Sequence, residues 1–246
     1  MSGASRPAAL LLDFGGVLAE APAQSPPLVA PPALVARLSE VVAGVVPAPV
    51  IVDALTAAHA AYARWRDEDR PQELTHEQVW QLVTAGWPQA AADAVRRDAT
   101  PLSYAWAWRP EWSLRPGIED AVRTAAATGL PLGVVSNALC GAAHRDFLAR
   151  AGLGGLFAVQ VYSDEAGVRK PNPEMIWRAT RALDVPVERC WFVGDSRQRD
   201  VACARRAGVA VAVLMRSSRT AREDPTKWPA PDATVDDGHG LAALLC

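Results

Sequence analysis

The sequence lacks a strong net charge and any long apolar run. Its 25 basic and 27 acidic residues give a formal charge of −2 over 246 residues, so no bulk field favours nucleic acid or an anionic membrane. No stretch approaches the roughly 20 apolar residues that a membrane-spanning helix needs, and the N-terminus lacks the pattern of a signal peptide. We therefore expect a cytoplasmic protein, a monomer or homodimer, that binds neither nucleic acid nor membrane.

Cysteine is scarce, and its spacing is uninformative. Cys140, Cys190, Cys203 and Cys246 form no CxxC pair and no cluster of cysteines and histidines with the spacing of a zinc motif. This spacing argues against a zinc site and against a disulfide framework, and we expect reduced thiols. The hydrophobic fraction of 50% supports a buried core of one large domain, or of a core and a smaller second unit.

Short apolar runs alternate with helical patterns from residue 114 onward. Alternation at this spacing predicts an α/β fold in which a parallel sheet is covered by helices on both faces. Strands are predicted at 9–13, 131–136, 157–163, 190–195 and 209–215.

Residues 20–112, called here the helical insertion, differ from the rest of the chain in composition and in hydrophobic pattern. A Pro-rich entry is followed by helical patterns and no convincing strand. We interpret this segment as a separate helical domain inserted between the first strand and the rest of the sheet. Its helices are predicted around 33–43, 50–69, 76–86 and 89–98, and the α/β domain then comprises 1–19 and 113–246.

Polar residues stand where the predicted strands end. They are Asp13, the pair Ser136 and Asn137, Lys170 in GVRKPNPE, and Asp195 with Asp200 in VGDSRQRD. The carboxyl ends of the strands of an open parallel sheet meet at one crevice, which is where such folds bind ligands. We therefore expect these sequence-distant groups to converge.

The chemistry of these groups suits phosphoryl transfer. A strand-end aspartate such as Asp13 can attack phosphorus and form an aspartyl-phosphate, and Asp195 offers the hard oxygen that Mg²⁺ binds. Ser136 and backbone N–H groups can bind phosphoryl oxygens, while Lys170, one of two lysines in the chain, neutralises the clustered anions. The sequence thus predicts Mg²⁺-dependent chemistry on a small phosphorylated metabolite.

The segments DFGGVL, VSNA, GVRKPNP and GDSRQRD resemble, in order and spacing, the four motifs of the haloacid dehalogenase superfamily. The resemblance implies a Rossmann-like core, a phosphatase-like hydrolase activity, and a cap formed by the helical insertion. It also implies roles for individual residues. Asp13 is the nucleophile, Ser136 and the Asn137 backbone bind phosphate, Lys170 stabilises the anions, and the Mg²⁺ ligands are Asp13, Asp195, Asp200 and the backbone carbonyl of Gly15.

Gly15 is the point at which the sequence departs from this pattern. Phosphatases of the superfamily usually carry a second aspartate two residues after the nucleophile, where it acts as general acid and then as base. Such help is worth about 10² to 10⁴ in rate. Three alternatives stay open: a leaving group that departs unprotonated, a proton donor from the cap or the substrate, or a binding or regulatory protein without efficient turnover.

Other activities of the superfamily are disfavoured by single residues. Phosphonate hydrolases need a cap lysine, which residues 20–112 lack. Haloacid dehalogenases need no magnesium and lack the aspartate found here at 195. Sugar-phosphate mutases depend on the second aspartate that Gly15 replaces.

Several further residues are candidates for the neighbourhood of the site. Glu165 is a candidate for a water-mediated contact with the metal, whereas Arg197 and Arg199 are expected only to solvate a helix start. Aromatic side chains of the insertion, Tyr62 among them, are expected mainly to pack. The better candidates for a substrate pocket are Trp65, Arg66, Trp106 and Arg109.

Overall fold

The computed structural model describes residues 6–22, 29–64 and 71–245. It contains one large sheet and one two-stranded ribbon. The strands are β1 (Ala9–Leu12), β2 (Ala19–Glu20), β3 (Ser113–Leu114), β4 (Leu132–Ser136), β5 (Val159–Tyr162), β6 (Cys190–Gly194), β7 (Val211–Met215) and β8 (Ala233–Val235).

Eleven α-helices accompany these strands in the described part of the chain. They are α1 (Pro32–Val41), α2 (Ala48–Arg64), α3 (His76–Val83), α4 (Gln89–Arg97), α5 (Ala99–Ala107), α6 (Ile118–Ala127), α7 (Gly141–Arg150), α8 (Ser163–Ala166), α9 (Glu174–Leu183), α10 (Ala202–Ala207) and α11 (Gly238–Leu245). A π-helical turn, Arg197–Val201, leads into α10. No helix among the described residues is long and apolar enough to cross a membrane.

The large sheet has the order β5-β4-β1-β6-β7-β8, and every pairing is parallel. Strand β1 lies at its centre, with Leu12 opposite Val134 of β4 and Val193 of β6. Its unbroken apolar sequence, ALLL, is buried throughout, as expected for a parallel strand covered on both faces. The predicted α/β fold is confirmed.

Successive side chains of β1 point to opposite faces, as the period of a strand requires. Leu10 and Leu12 belong to one hydrophobic cluster together with Ile118 of α6. Leu11 belongs to another, with Ile176 of α9. The sheet therefore separates two apolar layers, and helices cover both.

The helical insertion has a hydrophobic cluster of its own, contributed by α1 to α5. Trp80 lies within it, and its indole N–H donates to the carbonyl of Ala99 at 2.9 Å and to the Ser103 hydroxyl at 3.0 Å. Thr75 and Gln78 form a capping box at the start of α3, which satisfies N–H groups that otherwise lack partners. The sequence predicted the first four helices but not α5.

The ribbon of β2 and β3 lies where the chain enters and leaves the helical insertion. Arg115 follows β3, and its guanidinium lies 2.6 Å from Glu20 of β2. The sequence predicted no strand at these positions, because two residues are too few for an alternating pattern. Strand β8 and helix α11 were also not predicted.

Candidate active site

Three neighbouring strands deliver buried polar residues to one edge of the sheet. Asp13 follows β1, Ser136 ends β4, and Asp195 follows β6; all three are buried. Because β4, β1 and β6 are adjacent and parallel, their carboxyl ends lie side by side.

Lys170 joins these groups from a different segment. Its ammonium lies 2.8 Å from Oδ1 of Asp13 and 2.6 Å from Oδ1 of Asp200, and it donates to the carbonyl of Val135 at 2.9 Å. The Asn137 side chain accepts from the backbone N–H of Lys170 at 2.7 Å and donates to its carbonyl at 2.9 Å. The Asn137 amide therefore positions Lys170, and only the backbone of Asn137 is left to bind a ligand.

Asp200 supports the chain at the end of β6. Its Oδ2 accepts from the backbone N–H groups of Asp195 and Ser196 at 3.0 and 2.9 Å, while Oδ1 faces Lys170. Gly194 makes this approach possible, because a Cβ there would lie 2.1 Å from the Cβ of Asp200. Asp200 thus fixes the orientation of the segment that carries Asp195.

Asp195 is held by residues that follow β7. The Ser217 hydroxyl donates to its Oδ2 at 2.7 Å, and Arg219 donates to its Oδ1 at 3.1 Å. Burial raises the pKa of Asp195 to about 6, with Arg219 opposing the rise and repulsion from Asp200 and Asp13 adding to it. Burial and repulsion from the other two aspartates therefore outweigh the stabilisation of the Asp195 carboxylate by Arg219.

Asp13 and Lys170 stabilise each other in their charged forms. Burial alone would raise the pKa of Asp13, but the Lys170 ammonium, with Arg219 beyond it, holds that pKa below its usual range. Burial likewise opposes the charge on Lys170, but Asp13 and Asp200 raise its pKa. Asp13 is therefore an ionised carboxylate at neutral pH.

The three aspartates fit a divalent cation. One carboxylate oxygen from each of Asp13, Asp195 and Asp200 lies within 4.8 Å of the others. Buried carboxylates repel one another unless cations compensate them, and burial together with repulsion from Asp200 and Asp13 keeps the pKa of Asp195 raised despite Arg219. The donor set consists of hard oxygens, which suit Mg²⁺.

Gly15 and Gly16 follow Phe14, and they differ in whether the structure could accommodate a larger residue at the position. Gly16 has φ of +81°, and a Cβ there would lie 2.1 Å from Oδ2 of Asp195, so no other residue fits. A Cβ at Gly15 would meet no heavy atom within 4 Å. Neither backbone strain nor crowding therefore demands glycine at position 15.

The site opens into a cavity of about 200 Å³. The predicted residues that line it are Asp13, Gly15, Ser136, Asn137, Lys170 and Asp200. Side chains of the helical insertion and of flanking loops complete the wall, namely Phe14, Tyr62, Trp112, Ala138, Leu139, His144, Arg169, Arg199 and Arg219. The cavity suits a small anionic ligand, since four of its lining residues are cationic.

Of the four pocket candidates of the insertion, Trp106 and Arg109 do not line this cavity. Trp65 and Arg66 lie outside the described residues. Trp106 packs inside the insertion, 5.4 Å from the Trp80 ring, and donates to the carbonyl of Val29. Arg109 lies near Glu111, at 3.8 Å. An aromatic residue on an amphipathic helix contributed to the core here, as such residues more often do.

Glu165 forms an ion pair with Arg145, and its water-mediated contact with the metal stays a prediction. Arg199, expected only to solvate a helix start, lines the cavity instead.

Sequence reasoning missed several cavity residues, among them Tyr62, Arg169 and Arg219. Tyr62 was assigned to packing, and Arg169 and Arg219 were not singled out. Position gave a usable signal for both arginines: Arg169 precedes Lys170, and Arg219 follows the carboxyl end of β7. No local signal identifies Tyr62, because its approach to the site depends on where the insertion packs.

Tyr62 and Arg169 belong to a buried network that joins the insertion to the sheet. Glu73 accepts from the Tyr62 hydroxyl at 2.7 Å, from Arg169 at 2.9 Å and from the Ser163 hydroxyl at 2.5 Å. Arg169 also donates to the Tyr62 oxygen at 2.8 Å. The network fixes Arg169 beside the residue that contacts Asp13.

The sequence of this chain matches one family model and several curated proteins. A family model described as haloacid dehalogenase-like hydrolase matches residues 8–208. A phosphoserine phosphatase of Thermus thermophilus is 35% identical over 129 residues, 52% of this chain and 50% of that protein. Haloacid dehalogenase-like hydrolase domain-containing protein 3 of Bos taurus is 33% identical over 175 residues, 70% of this chain and 66% of that protein.

Solved structures show the same fold at low sequence identity. A HAD phosphatase from Thermococcus onnurineus superposes with a TM-score of 0.62 at 18% identity, over 96% of this chain and 97% of that one. A predicted phosphoglycolate phosphatase from Haemophilus somnus gives a TM-score of 0.64 at 16% identity, over 99% and 100%. In sequence, the chain spans about half the length of the first curated relatives it matches.

Proposed function

Because the chain belongs to the haloacid dehalogenase-like hydrolase family, we propose that it is a Mg²⁺-dependent phosphatase acting on a small phosphorylated metabolite. The observation that carries the proposal is the ionised, buried carboxylate of Asp13, 2.8 Å from the Lys170 ammonium and within reach of two further aspartates. Curated relatives named for phosphoserine, glyceraldehyde 3-phosphate and phosphoglycolate support the choice of reaction.

Asp13 is the proposed nucleophile. Lys170 holds Oδ1 of Asp13, which leaves Oδ2 to attack phosphorus. The P–O bond to the leaving group breaks as the bond to Asp13 forms, giving an aspartyl-phosphate. Water then attacks the phosphorus, releases inorganic phosphate and regenerates the carboxylate.

The phosphoryl group is held by residues at the ends of β4 and β1. The Ser136 hydroxyl lines the cavity beside Asp13, and the backbone N–H of Asn137 follows it. Lys170 neutralises the oxygens that carry charge in the transition state. Because the side chains of Ser136 and Lys170 are buried, they need little reorganisation during the reaction.

Asp13, Asp195, Asp200 and the carbonyl of Gly15 would hold Mg²⁺. When bound, the ion supplies positive charge that neutralises the phosphoryl oxygens and reduces repulsion between substrate and nucleophile. Asp200 also orients Asp195 through the backbone. The helical insertion, residues 20–112, acts as the cap that closes over the cavity and excludes water.

The leaving group must depart without an aspartate at position 15. The Tyr62 hydroxyl is in the cavity wall but donates its proton to Glu73, so it is a poor substitute acid. We therefore propose a substrate whose leaving group is stable as an anion, such as an acyl or anomeric phosphate. Arg199, whose guanidinium has no ion pair within 4.0 Å among the described residues, is placed to contact an anionic group of that substrate.

Gly15 also favours a second candidate, a protein that binds a phosphorylated ligand without efficient turnover. Loss of a general acid lowers the rate by about 10² to 10⁴ but leaves the phosphate and metal groups in place. The two functions differ in whether Asp13 is needed for phosphate release.

The test is phosphate release from a panel of acyl, anomeric and alkyl phosphates, with and without Mg²⁺, by the wild type and by Asp13→Asn. Asparagine keeps the size of the side chain and removes the nucleophilic charge. We expect Mg²⁺-dependent release by the wild type on at least one substrate and none by the variant. Equal release by both proteins on every substrate would contradict the phosphatase and favour the binding protein.

A further inference from the structure

A second group of metal-ligating side chains lies outside the three-aspartate site. His76 is the first residue of α3 in the helical insertion, Cys140 immediately precedes α7, and Asp164 lies in α8. One ligand atom from each lies within 4.8 Å of the other two. The three residues are separated in sequence, and only the packing of the insertion against the sheet brings them together.

The spacing of the ligand atoms matches tetrahedral zinc. Zn²⁺ binds imidazole nitrogen and carboxylate oxygen at about 2.0 to 2.2 Å, and tetrahedral bonds of this length put the two ligand atoms roughly 3.3 to 3.6 Å apart. The observed distance from His76 Nε2 to Asp164 Oδ2 is 3.3 Å. Cys140 adds a sulfur, which favours Zn²⁺ over Mg²⁺ because thiolate is a soft ligand.

The surroundings of the three residues also suit a metal. The other ring nitrogen of His76 lies 3.2 Å from the Thr100 hydroxyl, the kind of contact that fixes a metal-binding imidazole. The Asp164 side chain is 5% exposed, yet its Oδ1 has no hydrogen-bond partner within the described ranges. Oδ2 accepts from the N–H of Gly141, which leaves Oδ1 as the unsatisfied atom. An ion pair between His76 and Asp164 leaves this oxygen without a partner.

We propose that His76, Cys140 and Asp164 form a zinc site that joins the helical insertion to the sheet. His76 contributes Nε2, Asp164 contributes a carboxylate oxygen, and Cys140 contributes its sulfur. The thiol loses its proton to solvent as the Zn–S bond forms, and water occupies the fourth position. Because His76 belongs to the insertion and the other two ligands to the α/β part of the chain, the metal links the two parts of the molecule.

The site is tested by titrating the full chain with Co²⁺, which takes the place of Zn²⁺ and gives a near-ultraviolet absorption when a thiolate binds it. All proteins carry Cys246→Ser, so that the thiol outside the described residues contributes nothing. We expect one equivalent of Co²⁺ to produce the absorption, Zn²⁺ to abolish it, and excess Mg²⁺ to leave it unchanged. Zn²⁺ should also raise the Tm.

Matched variants identify the ligands. Cys140→Ser should abolish the absorption, and Cys190→Ser, at another buried cysteine, should retain it. Thr100→Val should weaken Co²⁺ binding about 10-fold, and His76→Ala should weaken it further. Asp13→Asn should leave the absorption unchanged, because the three-aspartate site is separate, so this test does not depend on the proposed phosphatase.

Absence of the absorption at stoichiometric Co²⁺ would overturn the proposal. An equal absorption from Cys140→Ser, or its loss in Cys190→Ser alone, would do so too. If Cys140→Ser does not fold, His76→Ala provides the decision, since this partly exposed side chain at the start of α3 contributes little to the core. Unchanged binding by His76→Ala would then refute the site.

Discussion

Gly15→Asp places a carboxylate two residues after Asp13, and we expect it to raise the turnover of simple alkyl phosphates in the presence of Mg²⁺. An alkoxide is a poor leaving group, so its departure benefits from a proton donor in the transition state. An acyl phosphate needs no such donor. The variant should therefore raise the rate on alkyl phosphates and leave the rate on acyl phosphates nearly unchanged.

The structure allows this substitution. A Cβ at Gly15 has no heavy atom within 4 Å, and its backbone lies outside the left-handed region, whereas Gly16 has φ of +81° and faces Asp195. General acid catalysis is worth about 10² to 10⁴ in rate, or roughly 3 to 5 kcal/mol of activation free energy. A fourth carboxylate adds repulsion to the site, so we expect a gain near the lower limit, about 10²-fold.

The assay is kcat/KM for an alkyl phosphate and for an acyl phosphate, measured with Mg²⁺. Gly15→Asn is the matched control, since it has the same shape but cannot transfer a proton in the same way. Gly16→Ala should abolish activity on both substrates, because its Cβ displaces Asp195. Equal alkyl phosphatase activity of the folded Asp and Asn variants would refute the reasoning, and so would an unchanged rate in Gly15→Asp.

Two further predictions concern stability. The rings of His144 and Phe14 stack with their centroids 3.8 Å apart, and burial lowers the pKa of His144 from 6.5 to about 3. Between these pH values the unfolded chain therefore binds more protons than the folded protein does, so the free energy of unfolding decreases as pH falls. Between pH 6.5 and 4.5 the wild type should lose about 2 kcal/mol more unfolding free energy than His144→Phe, measured by urea denaturation, and parallel losses would contradict the shift. Glu73→Ala removes the carboxylate that pairs with the buried Arg169 and should lower the free energy of unfolding by about 3 to 5 kcal/mol. Glu165→Ala, at the exposed pair with Arg145, should lower it by about 0 to 1 kcal/mol. Similar losses in the two variants would show that burial of the ion pair does not matter.

The strands of the large sheet, and the polar residues that follow them, could be predicted from the sequence. Buried parallel strands are continuous apolar runs, and ALLL before Asp13 is one of them. Such runs gave the five strands from β1 to β7 that belong to the large sheet. The short strands β2, β3 and β8 lack a readable period, and α5 was missed because Asp98 alone separates it from α4.

The cysteines show the opposite case. Their spacing argued against a zinc site, because they form neither a CxxC pair nor a cysteine-histidine cluster with the spacing of a zinc motif. The structure nevertheless places Cys140 beside His76 and Asp164. Metal ligands need to be close in space, and a site assembled from three elements leaves no spacing pattern in the chain.

The placement of Asp13, Ser136 and Asp195 at one edge of the sheet follows from the amino-acid sequence alone. Each follows or ends a strand, and parallel strands bring their carboxyl ends together whatever the intervening loops do. The residues that face that edge depend on the three-dimensional packing of the chain. Tyr62 meets Arg169 across 107 residues of sequence, and such contacts depend on how the helical insertion packs against the sheet, which no local pattern encodes.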